Sequence, residues 1–178
     1  MRLPDAFRKI ASLEGMGAYV VTKNDLGVVF QEHGETLSST IKRLTKHGLL
    51  QKVANGLYAC ANARNVENLL YQLALYLRPN EINYLSNESV LCNLSIISQQ
   101  MLDRITVMTT GRSGVFKTPF GVIEFTHTKR DHLSILKETS KPDGLPIRVA
   151  NKNIAVRDLK RIGRNVNMID WDEFNESD

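Results

Sequence analysis

Cysteine is almost missing from this chain: Cys60 and Cys92 are the only two, and neither stands in a CxxC or metal-type spacing. That excludes a disulfide framework and a cysteine-rich zinc module, and leaves two reduced, packing thiols as the expectation. Long apolar runs are missing too. Lys, Arg, Asn or Gln interrupts every candidate well short of the ~20 residues a membrane-spanning helix needs. The opening stretch MRLPDAFRKIASLEG has no apolar centre and no small-residue cleavage site, so a signal peptide is not expected and a cytoplasmic location is. No Ser, Cys or Thr sits in a nucleophile elbow, and no carboxylate pair sits in a motif. The expectation is therefore no enzyme, no catalytic residue, no metal and no cofactor.

What is present is ordinary globular composition, with 178 residues, 42% of them hydrophobic and 24% charged. That length suits one large or two small domains with a real core. Net charge is +4, but unevenly spread. Residues 1–60 carry +3, residues 61–100 carry −1, residues 101–164 carry +7 and residues 165–178 carry −5. Two basic blocks around a neutral apolar middle point to a polyanionic partner.

The most informative stretch is residues 36–60, TLSSTIKRLTKHGLLQKVANGLYAC. Leu37, Ile41 and Leu44 recur at helical spacing and fix an inner face, closed by His47-Gly48. At roughly 100° per residue the opposite face is Ser39, Lys42, Arg43 and Lys46, with Ser38 at its edge. Strand-like runs over residues 49–53 and 57–60 follow, joined through Asn55-Gly56, a pair expected to supply two positive-φ positions. Helix, glycine stop and hairpin are the recognition helix and wing of a winged helix-turn-helix. Short hydroxyl residues let a helix approach base edges in a major groove, while Lys and Arg reach bases or phosphates. Gln51, Lys52 and Asn55 are expected to project from the wing toward DNA.

Upstream, Pro4 opens a first helix with the stripe Phe7, Ile10, Ala11 and Leu13, ended by Gly15 and Gly17. Residues 18–21 read as a short strand. Thr22 and Asp25 form a capping-box signal for a second helix that buries Leu26, Val29 and Phe30. Gly34 then makes the turn, and Thr36 or Ser38 caps the third helix. A linker is expected at residues 61–65, dividing a winged helix-turn-helix domain (1–62) from a C-terminal domain (63–178).

In the second part, Val66, Leu69, Leu70, Leu73, Ala74 and Leu77 form a helical stripe stopped by Arg78-Pro79. Tyr84-Leu85 reads as extended, and Ser86 as the cap of a helix through Val90, Leu91 and Leu94. From Arg104, RITVMTT and VIEFTHTK read as strands joined by the loop GRSGVFKTPFG, a long hairpin. IRVA is a further strand, residues 154–162 a last helix, and Trp171 the anchor of the acidic tail. Fold class is thus α+β, a winged helix-turn-helix followed by a mixed α/β domain. Gly111-Arg112-Ser113-Gly114 could form an anion-binding nest, but lacks Walker spacing, so no nucleotide site of that kind is expected. With Lys117 it reads as a basic loop for DNA phosphate or a partner. His127 and His132 read as surface histidines, since no third ligand accompanies them.

The order KHGLLQKVANGLYA, a leucine-rich helix, YLSNESVLCNLSIIS and ITVMTTGRSGVFKTPFGVIEFTHTK resembles the AbiEi antitoxin family of bacterial abortive-infection and type IV toxin–antitoxin systems. The "YLS-ES" helix start together with the "TTGR…FKTPFG.IEF" segment is the telling part, and the likeness covers roughly residues 5 to 160. Departures are Cys92-Asn93-Leu94, where the family usually carries a glycine, and VANKNIA in place of a "V-A-S-P-E-K-A" helix start. The resemblance implies a phage-defence antitoxin that binds inverted repeats in its own promoter, with copies pairing on the DNA. It also implies counteraction of a nucleotidyltransferase-type toxin without a stable complex. On this chain, DNA contact then falls on Ser38, Ser39, Lys42, Arg43, Lys46, Gln51, Lys52 and Asn55, with Arg112 and Lys117 contributing. The alternatives are a winged-helix protein-interaction module, or a transcriptional regulator without antitoxin activity.

Overall fold

The structure is a computed structural model that describes the chain except residues 64, 99–102, 177 and 178. It divides into two compact units, Met1–Gln72 and Leu73–Asp178. The linker expected at 61–65 (residue 64 lies outside the described residues) precedes that division by several residues. The reason is side-chain bonding by the helix that follows. Gln72 accepts the backbone N–H groups of Tyr19 and Val20 at 3.0 and 3.1 Å and donates to Gly17 O at 2.6 Å.

The first unit runs α1 (Leu3–Gly15), β1 (Val20–Thr22), α2 (Lys23–Phe30), α3 (Gly34–Lys46), β2 (Leu50–Ala54) and β3 (Leu57–Cys60). Its three strands pair antiparallel in the order β1-β3-β2, the winged helix-turn-helix arrangement. α1 buries Ala6 and Ile10 only. Phe7 is 51% exposed and Ala11 is exposed, so the expected stripe is narrower and rotated by one residue. At the start of α2 the capping box forms: Thr22 Oγ1 accepts Asp25 N at 3.1 Å and Asp25 Oδ2 accepts Thr22 N at 2.7 Å. Gln31, at φ 56°, closes α2, and Gly34, at φ 60°, makes the expected turn into α3. α3 starts at Gly34, and neither Thr36 nor Ser38 caps it; Ser38 Oγ instead donates back to Gly34 O at 2.9 Å. A Cβ on Gly27 would stand 3.1 Å from Glu32 O and 3.3 Å from Leu37 Cδ2, so glycine lets α2 and α3 close on each other. In the wing turn only Gly56 takes a positive φ (70°). A register shift between Lys52 and Ala54 supplies the twist that a second left-handed residue would otherwise give.

α4 (Val66–Leu77) runs through the division and buries Leu69, Leu70, Leu73 and Ala74, leaving Val66 exposed. The second unit continues with β4 (Asn83–Leu85), α5 (Glu88–Asn93), β5 (Arg104–Thr109), β6 (Gly114–Thr118) and β7 (Gly121–His127). It closes with α6 (His132–Glu138), β8 (Thr139–Ser140), β9 (Arg148–Ala150), α7 (Lys152–Ile162), a 3-10 turn (Val166–Met168) and α8 (Trp171–Glu176). One sheet of order β6-β7-β5-β4-β9-β8 results, so the chain is α+β. The expected long hairpin is replaced by a different pairing. β5 and β7 lie side by side but parallel, and part of the segment read as a loop is β6, antiparallel to β7. β5 is buried along almost its whole length, as a central strand should be, while β6 alternates as an edge strand.

Ser86 is not a helix cap. Its hydroxyl donates to Asp158 Oδ2 at 2.7 Å, and Tyr84 Oη donates to the same oxygen at 3.1 Å. Arg130 pairs with Asp158 Oδ1 at 2.8 Å and with Glu138 at 2.6 Å. Asp158 is wholly buried, so α7 is joined to the sheet through a charge with no access to water. A second tie runs from Arg164 to Glu88 (2.8 Å) and Glu124. Burial pushes the Glu88 carboxyl up, but hydrogen bonds from Arg164 and Asn165 outweigh it and hold the group below the usual glutamate range. The tail is anchored by buried Ile169, bridged to Ile97, rather than by Trp171, which is 44% exposed beneath Lys160 Nζ at 4.7 Å. Removing one partner of a buried pair strands the other, so Asp158→Ala is expected to lower stability by ~3–5 kcal/mol. Urea unfolding of the two proteins checks this, and a loss below ~1 kcal/mol would contradict it.

Candidate nucleic-acid interface

The inner face of α3 is Leu37, Thr40, Ile41 and Leu44, all buried. Leu37, Ile41 and Leu44 pack with Leu26 and Phe30 of α2 and Leu50 of β2, which fixes the rotation of the helix. Ser38, Ser39, Lys42, Arg43 and Lys46 are all exposed as a consequence.

These residues do not share one surface. Between α3 and the wing lies a hollow of about 480 Å³ lined by Ser38, Ile41, Lys42, Thr45 and Lys46 of α3, Lys23 of α2, and Lys52 and Tyr58 of the hairpin. Among the described residues, four lysines line it and no carboxylate does. Lys52 stands opposite Tyr58 in the ladder, on the same side of the hairpin as the Leu50–Cys60 pair that packs against the helices. Alternation puts Gln51 on the other face, opposite Ala59, and Asn55 is exposed at the turn. Arg43 lies on the flank of α3 away from the hollow, donating to the Met1 carbonyl. The same region holds Glu32, which binds the Met1 amine at 2.8 Å. That hydrogen bond, first, and then one from Thr40 keep the Glu32 carboxyl below its ordinary range.

Lys23, Thr45 and Tyr58 are the residues of this hollow that the sequence reading did not single out. Lys23 is the first residue of α2. Its backbone N–H donates to Gly56 O at the wing turn (2.8 Å), and its ammonium donates to Ser38 Oγ at 2.9 Å. The signal available for it was the Thr22–Asp25 capping box, which places residue 23 on the first turn of α2. Ser38 is therefore held between Gly34 O and Lys23, with its hydroxyl already oriented. Ser39 is exposed on the outer side of the helix.

In the second unit Arg112 lies in the turn before β6, and Lys117 is exposed on that edge strand. His127 Nδ1 bonds Gly111 O at 2.8 Å, and His132 begins α6. Among the described residues no three His, Cys, Asp or Glu side chains cluster as metal ligands, and no helix is long and apolar enough to cross a membrane. Burial pushes the Cys60 thiol up to about 12, which keeps it from acting as a thiolate. Cys92 is half-buried and raised in the same way.

No family model matches the chain, and no curated protein matches it. Among solved structures it is similar to the RV2827C protein from Mycobacterium tuberculosis, at 20% identity and a TM-score of 0.52. The likeness, one of fold, covers 74% of this chain and 47% of that one, so the chain spans less than half of that protein's length.

Proposed function

We propose that this protein is a sequence-specific DNA-binding antitoxin that represses its own toxin–antitoxin operon and counteracts a nucleotidyltransferase-type toxin. The DNA-binding half is supported by one observation above the others: the hollow beside α3 carries Lys23, Lys42, Lys46 and Lys52 with no opposing carboxylate among the described residues. An ammonium is a point donor suited to phosphate oxygens, while Ser38, Ser39 and Thr45 are short enough to let the helix approach base edges. Duplex DNA fits such a hollow because its two strands present phosphates on either side of a groove that accepts a helix. Inverted repeats read by paired copies extend this reading. The antitoxin half is supported by the motif resemblance to the AbiEi family, which also gives the toxin its class. A cytoplasmic location follows from acting on an operator.

Neutralising Lys42 and Lys46 together removes two phosphate-reaching cations. The slope of log K against log salt should then fall by about 2, at roughly 0.9 per contact. Arg8→Ala removes a cation outside the hollow, one that is 78% exposed on α1, and should leave the slope nearly unchanged. Gel shifts on a promoter fragment across a salt series measure both. Equal slopes for the Lys42→Ala/Lys46→Ala variant and the wild type would remove α3 from the interface. The antitoxin half requires a nucleotidyltransferase in the adjoining reading frame, and co-expression should restore growth to cells poisoned by that protein. Persistent toxicity beside intact operator binding would leave a stand-alone regulator.

A further inference from the structure

Parallel strands β5 and β7 end side by side at Thr109 and His127, paired in register. Ligands of sheet proteins characteristically sit in the crevice beyond the carboxyl ends of such strands. Here that place is a cleft of about 900 Å³ lined by Arg78, Glu81, Thr110, Gly111, Arg112, Ser113 and His127.

Its walls are cross-tied rather than loose. Arg78 lies over the rings of Phe116 and Phe125 at 5.0 and 5.1 Å. It spends one Nη1 bond on Leu77 O (3.1 Å) and one Nη2 bond on Arg112 O (3.3 Å), while its Nε has no acceptor among the described residues. Two of its five guanidinium N–H groups are thus used, the one on Nε is shut away from solvent, and the other two remain on the terminal nitrogens. Ser113 Oγ accepts His127 N at 2.8 Å. The His127 ring bonds a carbonyl through Nδ1, so that nitrogen carries the hydrogen and Nε2 is the ring's other polar atom. Thr110 Oγ1 accepts Ile82 N at 3.0 Å and donates to Glu81. A Cβ on Gly111 would stand 2.9 Å from Glu81 Cγ and 3.2 Å from its Cδ, so the turn packs against the Glu81 side chain and a larger residue would have to push that side chain aside.

We propose that this cleft binds a phosphate monoester, presented either by a free nucleoside monophosphate or by the phosphorylated end of a nucleic-acid strand. Arg112 and Arg78 offer planar donors to a tetrahedral dianion, the geometry in which guanidinium outperforms ammonium, and His127 adds an Nε2–H donor in its imidazolium form. Glu81, at the turn that follows α4, is an acceptor for the hydroxyl or amine of the body that carries the phosphate. A bare anion uses one part of the cleft; a nucleotide-sized ligand uses both. The cleft shares no residue with the lysine hollow on α3, so either reading can fail without the other.

The test is titration of the whole chain with inorganic phosphate, a nucleoside monophosphate, and a short single strand carrying either a 5′-phosphate or a 5′-hydroxyl, followed by amide NMR. Saturable shifts at residues 110–113 and 127 are expected with the phosphate-bearing ligands, and weaker binding, by about tenfold or more, for the 5′-hydroxyl strand. Tighter binding of the mononucleotide than of the phosphorylated strand identifies a free nucleotide as the ligand; the reverse identifies a strand end. Arg112→Ala and His127→Gln should each weaken binding about tenfold with an unchanged melting temperature. No saturable shift with any phosphate ligand, or shifts undiminished in both folded variants, would overturn the proposal.

Discussion

The packing of α3 against α2 and the hairpin is the constraint on which the rest of the first unit depends. Leu37, Ile41 and Leu44 must leave water, and they can do so in only one rotation of the helix. That rotation decides which cations face the wing and which do not. Gly27 allows the close approach of α2, and the capping box then delivers Lys23 beside the wing turn. A basic hollow follows from a hydrophobic fit, with no attraction between its own cations to hold it. Four like charges in one place are a cost to the folded protein, and an anionic partner relieves it.

The second unit shows a different economy. Its central strands carry the apolar core, but α7 reaches them through Asp158 and Arg130, and the segment after α7 through Arg164, Glu88 and Glu124. The buried carboxylates of Asp158 and Glu88 hold position because each is matched by an arginine and by hydroxyl or amide donors. Much of the basic excess in this part of the sequence is therefore committed internally. Arg130 and Arg164 serve the fold and are not free to meet a polyanion, whereas Arg112 is exposed.

How much was legible in the sequence follows from the range of each signal. The inner face of α3, the capping box and the hairpin strands are local patterns, and each appears where the residues place it. What escaped depended on tertiary neighbours. Arg43 sits on the charged side of a helical wheel, yet its partner is the carbonyl of Met1, far away in sequence. Lys23 carries no periodic signal, because its place in the hollow comes from the pairing of β1 with β3. β6 was hidden by glycine and proline at its ends. The parallel pairing of β5 with β7 was hidden because a period of two reports faces and not neighbours. Ser86 looked like a cap by position, and only the fold reveals that Asp158 claims its hydroxyl.

The central claim is that the hollow between α3 and the wing is where DNA sits. Lysine footprinting addresses it without any substitution: acetylate the protein with and without saturating promoter duplex and quantify each lysine by mass spectrometry. Protection of Lys23, Lys42, Lys46 and Lys52 is the expected result, with Lys137 and Lys141 on the second unit labelled as in the free protein. Groove lysines that are acetylated at the same rate with and without the duplex would contradict the account.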